Sequence, residues 1–359
     1  MGSVENELFI SERHYRELEE SHGVPQSGDL MVSAVGTLGA CYVVKPLDRF
    51  YFKDASVLQL RAKQEIEPDF FRYLFLNDAF LIEVKKGEGA TVGTLTISRA
   101  KGLRLSLPPL EEQKRIVAVL DQAFAALDRA RALAEANLAD VSTLRGQYLD
   151  DQITELFAEF GSIKVNEIAG VKGGKRLPKG QKTASDVTPY PYISVRDMTD
   201  EGTVNTASVQ YISKANHEAI KRYTVSSSDV YVSIAGTIGK TGVVPAELHG
   251  ANLTENAAKL ILRTGWDRDF VYWWTRSGSF SDQAIEQTRT AAQPKLALER
   301  LGAIELPNAD LNNQQALVAC MERLRGSVRN LTDNYTGKLS ELRDLRQSLL
   351  QMAFAGELT

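Results

Sequence analysis

Cysteine is nearly missing from this chain. Cys41 and Cys320 are the two present in 359 residues, and they lie too far apart in sequence to suggest a disulfide framework or a cysteine-rich metal site. Histidine is almost as scarce: His14, His22, His217 and His249 show no metal-ligand spacing and read as surface or structural residues. No apolar run approaches the roughly 20 residues of a membrane span. The opening stretch MGSVENELFI has neither the basic nor the apolar region of a signal peptide, so a cytoplasmic protein is expected. Positive charge is not in excess either. A net charge of −4 argues against indiscriminate coating of nucleic acid, while leaving room for a basic patch on one face.

What the chain does have is an internal repeat. VSAVGTLG at 32–39 returns as VSIAGTIG at 232–239, with Asp29 matching Asp229 ahead of it. FIS at 9–11 matches YIS at 211–213, Asp69-Phe70 matches Asp269-Phe270, and Leu107-Pro108 matches Leu306-Pro307. A period this long signals two related domains rather than a solenoid. The second copy carries a stretch from Phe160 to Gln210 before its YIS anchor, and most of that stretch has no counterpart ahead of FIS in the first.

Each copy opens with strand and turn signals. Val230, Val232 and Ile234 alternate with Tyr231 and Ser233, as do Leu30, Val32 and Ala34 with their neighbours, which predicts half-buried strands. Short helices are expected around 69–84 and 270–286. Trp266, Trp273 and Trp274 fall in the second of these regions or just before it and read as core. Each copy then ends in a long helical pattern. After Pro108-Pro109, apolar residues step mostly by threes and fours through Ile116, Leu120, Ala123, Leu127, Ala134, Leu138, Val141, Leu144 and Tyr148. After Pro307 they run through Leu317, Met321, Leu324, Val328, Leu331, Tyr335, Leu339, Leu342, Leu345, Leu349 and Met352. A helix of that length needs an equally long partner, and the other long helix is the obvious one. The fold expected is α+β: two globular α/β domains separated by two long antiparallel coiled-coil helices, with pseudo-twofold symmetry.

LPPLEEQKRIVAVLD at 107–121 and LRQSLLQMAFAGELT at 345–359 resemble the conserved regions of specificity subunits from type I restriction-modification systems. YPYISVRDM at 190–198 and VSIAGTIGKTGVV at 232–244 are similar to that family's target-recognition domains. The resemblance implies target-recognition domains at 1–106, short at its start, and at 159–306, with conserved long helices at 107–158 and 307–359. It further implies a non-catalytic subunit that reads a split, asymmetric sequence in double-stranded DNA. Its partners would be two methylation subunits acting on adenine N6, with a restriction subunit as a further partner. S-adenosylmethionine, ATP and Mg2+ would then sit on those partners and no cofactor on this chain. No Walker motif, nucleophile elbow or Asn-Pro-Pro-aromatic motif occurs here, in keeping with a chain that has no chemistry of its own.

The most basic stretch is 163–182, with Lys164, Lys172, Lys175, Arg176, Lys179 and Lys182 against Glu167 alone. Its glycines let backbone amides approach phosphates that the cations neutralise. In an arbitrary protein a solvated loop would be the simpler reading; at the start of a recognition domain, phosphate contact is preferred. Arg196 suits either a bidentate contact to guanine or a structural ion pair with Asp197 or another acid. The Gly-Thr-x-Gly turns at 36–39 and 236–239 do not match nucleotide-binding loops and read first as hairpin geometry, with Thr37, Thr237 and Lys240 as further backbone contacts. Gln293, with Lys85 and Lys86 beside GEGATVG at 87–93 as N-terminal counterparts, completes the candidates. The competing reading is a coiled-coil scaffold that assembles other proteins and reads no DNA. Charge reversal at Lys172, Lys175, Arg176 and Lys179 separates the two. An autonomous methyltransferase would need an S-adenosylmethionine site, and no motif for one is present.

Overall fold

A computed structural model describes residues 8–52, 56–62, 65–86, 94–105, 107–288 and 295–358. It divides into two compact units, Met1–Asn137 with Asn334–Thr359, and Leu138–Asp333. In the first unit α1 (Glu12–His22) precedes β1 (Leu30–Ser33), β2 (Cys41–Val43) and β3 (Val57–Leu60), followed by α2 (Pro68–Leu74), α3 (Asp78–Lys85), α4 (Ile97–Gly102) and the first part of α5 (Leu110–Phe160). The strands form an antiparallel sheet in the order β2-β1-β3.

The second unit takes the rest of α5, then β4 (Ser162–Lys164), α6 (Val165–Ile168), β5 (Ala169–Gly173), β6 (Pro191–Ile193), β7 (Gln210–Tyr211), α7 (Lys214–Ile220), β8 (Val230–Ser233), β9 (Thr241–Val243), β10 (Asn252–Leu253), β11 (Ala257–Leu262), α8 (Arg268–Trp274), α9 (Gly278–Glu286), α10 (Leu298–Gly302), β12 (Glu305–Pro307) and the first part of α11 (Leu311–Ala355). Its sheets run β5-β11-β8-β9, β10-β6-β7 and β12-β4. Among the described residues no helix is long and apolar enough to cross a membrane.

The repeat is structural. Ser11 and Ser213 cap α1 and α7, accepting from the backbone N–H of His14 and Asn216. Asp29 and Asp229 close the turn before the central strand, accepting from Gln26 N and Ser226 N, and each holds a cation on the third strand or at its end. Arg61 reaches Asp29 through two nitrogens and Lys259 pairs with Asp229 at 3.2 Å. Burial works against the Asp29 carboxylate, but hydrogen bonds from Arg61, Gln26 and Gln59 outweigh it and hold its pKa below the ordinary value. The counterpart of β5 is not found among the described residues of the first unit, where β3 pairs with β1 alone; in the second unit, β11 lies between β5 and β8.

Two expectations change in detail. The central strand is not half-buried: Val230, Tyr231, Val232 and Ser233 are all fully buried. Val230 and Val232 face the cluster built on Phe270 and Trp274, while Tyr231 faces a second cluster, to which the segment that the second copy has in excess supplies Ile193 and Val204 and β10 supplies Leu253. Each helix expected at 69–84 and 270–286 is a pair of helices, because Asn77 and Ser277 cap a new helix by accepting from Phe80 N and Phe280 N. Trp273 and Trp274 are buried, and Trp266 packs against the same core.

The long helices pair antiparallel inside each unit. In the first, Arg115 donates to Leu358 O and Arg346 to Asp128, while Ile116, Leu120 and Phe124 share a cluster with Leu350 and Ala353. In the second, Tyr148 lies 3.1 Å from the Cys320 thiol, and Leu149 and Ile153 share a cluster with Leu317 and Met321. The predicted stripe is not wholly covered. Leu345 and Met352 in the first unit, and Leu144 and Leu331 in the second, are exposed. Two helices bury only the narrow seam between them, so apolar residues on its flank stay in solvent.

A duplicated latch ties each long helix to its own globule. The Gln113 side chain accepts from Glu67 N at 3.0 Å and donates to Pro108 O; Gln314 accepts from Asp267 N at 2.8 Å and donates to Ala309 O. Both glutamines are essentially inaccessible. Gln314→Leu would take the partner from a backbone N–H and from two carbonyls, Ala309 O and Gly265 O, and is expected to cost about 1–3 kcal/mol. Urea titration checks this; a loss within about 0.3 kcal/mol of zero would mean that the latch has no energetic role.

Candidate nucleic-acid interface

The basic segment of the second unit is held by its neighbours. Strand β5 pairs through all five residues with β11, Lys172 opposite Lys259 and Gly173 opposite Ala258. Beyond the strand, Gly174 N donates to Ala257 O and Lys175 N to Leu253 O. A Cβ on Gly174 would fall 2.0 Å from Thr254 O and 2.3 Å from Leu253 O, so only glycine fits this crossing of two backbones. Tyr192 from β6 donates its hydroxyl to Lys175 O at 3.1 Å. The backbone is therefore fixed as far as Lys175, and Lys172, Lys175, Arg176, Lys179 and Lys182 all extend into solvent.

Arg176 through Gln181 rim an open depression of about 480 Å³ whose opposite wall is Tyr192, Thr254 and Glu255. Arg176 Nε donates to Glu255 Oε1, and Thr254 Oγ1 donates to Glu255 Oε2 at 3.0 Å. Burial pushes the Glu255 pKa up, but the bonds from Arg176, its own backbone and Thr254 outweigh it, leaving the carboxyl below its usual value and ionised. The Lys175 ammonium sits 5.7 Å from the centre of the Tyr223 ring. Glu255 and Tyr192 were not recognisable as members of this site. Glu255 lies 79 residues from Arg176, with no spacing signal to join them.

The remaining candidates are scattered. Asp197 is buried and accepts from Ser194 and Ser208, so it is not the partner of Arg196. Arg196 instead extends, exposed, to Gln210 at 3.4 Å. The Gly236 to Gly239 turn has hairpin geometry, with both glycines at positive φ and Gly239 N donating to Ser233 O; Gly36 and Gly39 repeat it, with Gly39 N donating to Ser33 O. Thr37 and Thr237 are exposed at these tips. Lys240 is turned inward onto Asp200, at 3.0 Å, and Met198 O. Lys85 is exposed at the end of α3, and Lys86 is paired with Glu83. Gln293 and the segment 87–93 lie outside the described residues.

A family model for the type I restriction modification DNA specificity domain matches residues 17–137 and 158–334. The chain is 25% identical over 296 residues to the type I restriction enzyme EcoBI specificity subunit of Escherichia coli, a match that takes in 75% of this chain. It spans 61% of that relative's length. Among solved structures it resembles a chain from work on complex assembly and conformational transition of the type I R-M system. That match has a TM-score of 0.75 at 20% identity, covering 94% of this chain and 84% of the other. It also resembles the HsdS subunit of Thermoanaerobacter tengcongensis, with a TM-score of 0.60 at 20% identity and coverage of 93% and 82%. These two likenesses establish the fold: α+β, twice repeated, with long helices between and after the repeats. With both repeats matched by one model, the chain belongs to the type I restriction-modification DNA specificity family.

Proposed function

We propose that this chain is the sequence-reading subunit of a type I restriction-modification complex, cytoplasmic and without chemistry of its own. It binds double-stranded DNA and directs methylation subunits, two of them, to adenine N6 at a bipartite target. S-adenosylmethionine belongs to those subunits; ATP and Mg2+ belong to a restriction subunit where one is present. Residues 1–106 and 159–306 are the two readers, and 107–158 and 307–359 are the conserved helices. The observation that carries this reading is the run of exposed cations from Lys172 to Lys182, of which Arg176 and Lys179 rim an open depression. Exposed cations suit phosphates, whose contacts supply affinity and register, while base edges supply sequence. Docking of protein partners on the long helices is supported by the exposed Leu133, Leu345 and Met352 of the first unit and Leu144 and Leu331 of the second. A scaffold without DNA readout would account for the helices but not for the cations.

Mapping methylated adenines in cells that carry the methylation subunits, with and without this chain, tests the proposal. A split asymmetric motif should be methylated only when the chain is present. Methylation that ignores sequence, or that is unchanged by removing the chain, would sink it.

A further inference from the structure

We infer that Arg176 reads a guanine and that Glu255, backed by Thr254, is the residue that positions it. The inference rests on the proposed DNA-reading function and adds which side chain reads a base, and by what device. The residue before Arg176 is anchored at both its N–H and its carbonyl, by Leu253 O and the Tyr192 hydroxyl. The side chain is nevertheless 78% exposed. Its Nε is taken by Glu255, and its two terminal nitrogens make no hydrogen bond to the described residues. That leaves the end of the guanidinium fork free, on a side chain whose direction is set. Guanine O6 and N7 are matched by such an arrangement, two parallel donors on a planar group.

Two simpler roles fit less well. An ion pair this exposed contributes little to stability, about 0–1 kcal/mol, so holding the fold together does not explain it. Nor does phosphate attraction: the Glu255 carboxylate cancels the Arg176 charge at a distance, whereas Lys172, Lys179 and Lys182 have no carboxylate within ion-pairing distance among the described residues. A cation meant for the backbone gains by being unpaired; one meant for a base edge gains by being aimed. Arg196, an arginine also suited to guanine, is held among the described residues by Gln210 alone, at 3.4 Å.

The test uses the full chain assembled with its methylation subunits and a duplex library randomised across the target. Bound duplexes are sequenced for wild type, Arg176→Lys, Arg176→Gln and Glu255→Gln, and thermal melting confirms that each variant folds. Wild type should show a preference for guanine of roughly ten- to hundredfold at one position of one half-site. Arg176→Lys keeps the charge but not the fork, and should lower that preference to about twofold while leaving every other position unchanged. Glu255→Gln should weaken the same position and no other, since a neutral amide oxygen holds Arg176 Nε less firmly than the carboxylate does. If Arg176→Lys and Arg176→Gln alter no base preference, or lower affinity evenly for all sequences, Arg176 is not a reader and the inference falls. If Arg176→Lys removes the preference and Glu255→Gln leaves it intact, the assignment of Glu255 falls. A wild-type complex that selects no sequence at all would instead refute the DNA-reading function, a result distinct from either.

Discussion

Replacing Lys172, Lys175, Lys179 and Lys182 together with glutamate is expected to weaken duplex binding by roughly a thousandfold or more near 100 mM salt. All four side chains are exposed and none is part of a core cluster, so the fold should survive the change. The backbone at Lys172 and Lys175 is fixed by β5 and by the Gly174 crossing, and Lys179 and Lys182 follow on the loop that leaves it. Each phosphate neutralised by a cation releases counterions, and the logarithm of the binding constant falls linearly with the logarithm of salt, by about 0.9 for each contact. Removing four contacts should therefore flatten the salt slope by about 3–4, and the reversed charges should lower affinity further at low salt. Fluorescence anisotropy from 50 to 300 mM salt reads both quantities. Arg176 is left intact, so sequence preference should persist in whatever binding remains. An unchanged slope would place the DNA on another surface, and association with the methylation subunits should be unaffected in either case.

Gly174→Ala is expected to be the most damaging single substitution in the site, costing about 3 kcal/mol or more. The added methyl would overlap two backbone carbonyl oxygens, Thr254 O and Leu253 O, rather than a side chain able to rotate away. Relief requires β10 and the end of β5 to part, which breaks the Lys175–Leu253 bond and moves Arg176 away from Glu255. Stability and DNA affinity should fall together. Gly180→Ala is the control. It has φ +81 and no atom within 4 Å of the added carbon, so its cost is backbone strain alone, about 1–2 kcal/mol, with the depression otherwise intact. Chemical denaturation of both variants decides the matter; equal losses would show that the crossing is looser than its geometry indicates.

The architecture was legible because duplication leaves aligned residues, and the most informative were those with local backbone roles. Ser11 and Ser213 as caps, and the paired glycines of the two hairpins, act through bonds only a few residues away, so their spacing survives as pattern. Asp29 and Asp229 were visible as anchors, but not their cations, which come from a strand some 30 residues on. The glutamine latch was missed although Gln113 and Gln314 occupy matching places, because a buried amide has no hydropathy signature. The half-buried reading of β8 failed for a similar reason: alternation reports that two faces differ, not that the second is open. In the site, the basic run was legible as composition. The pairing of Arg176 with Glu255, the guanidinium's direction and the inward turn of Lys240 depend on tertiary crossings that no local period encodes.

Helix α11 ends in the unit that begins the chain, and this has a consequence for synthesis. The second unit is continuous, Leu138–Asp333, whereas the first needs Asn334–Thr359 as well. Gln347 accepts from Asp78 N at the start of α3, and Leu350 and Ala353 close the cluster around Phe70 and Tyr73. As the polypeptide leaves the ribosome, the later-made half has all its parts first, and the earlier-made half waits with Phe70, Ile116 and Leu120 incompletely covered until the last turns of α11 emerge. A chain released after residue 344 would hold every residue of the second unit, while the first would lack Leu350 and Ala353 over Phe70, Ile116 and Leu120.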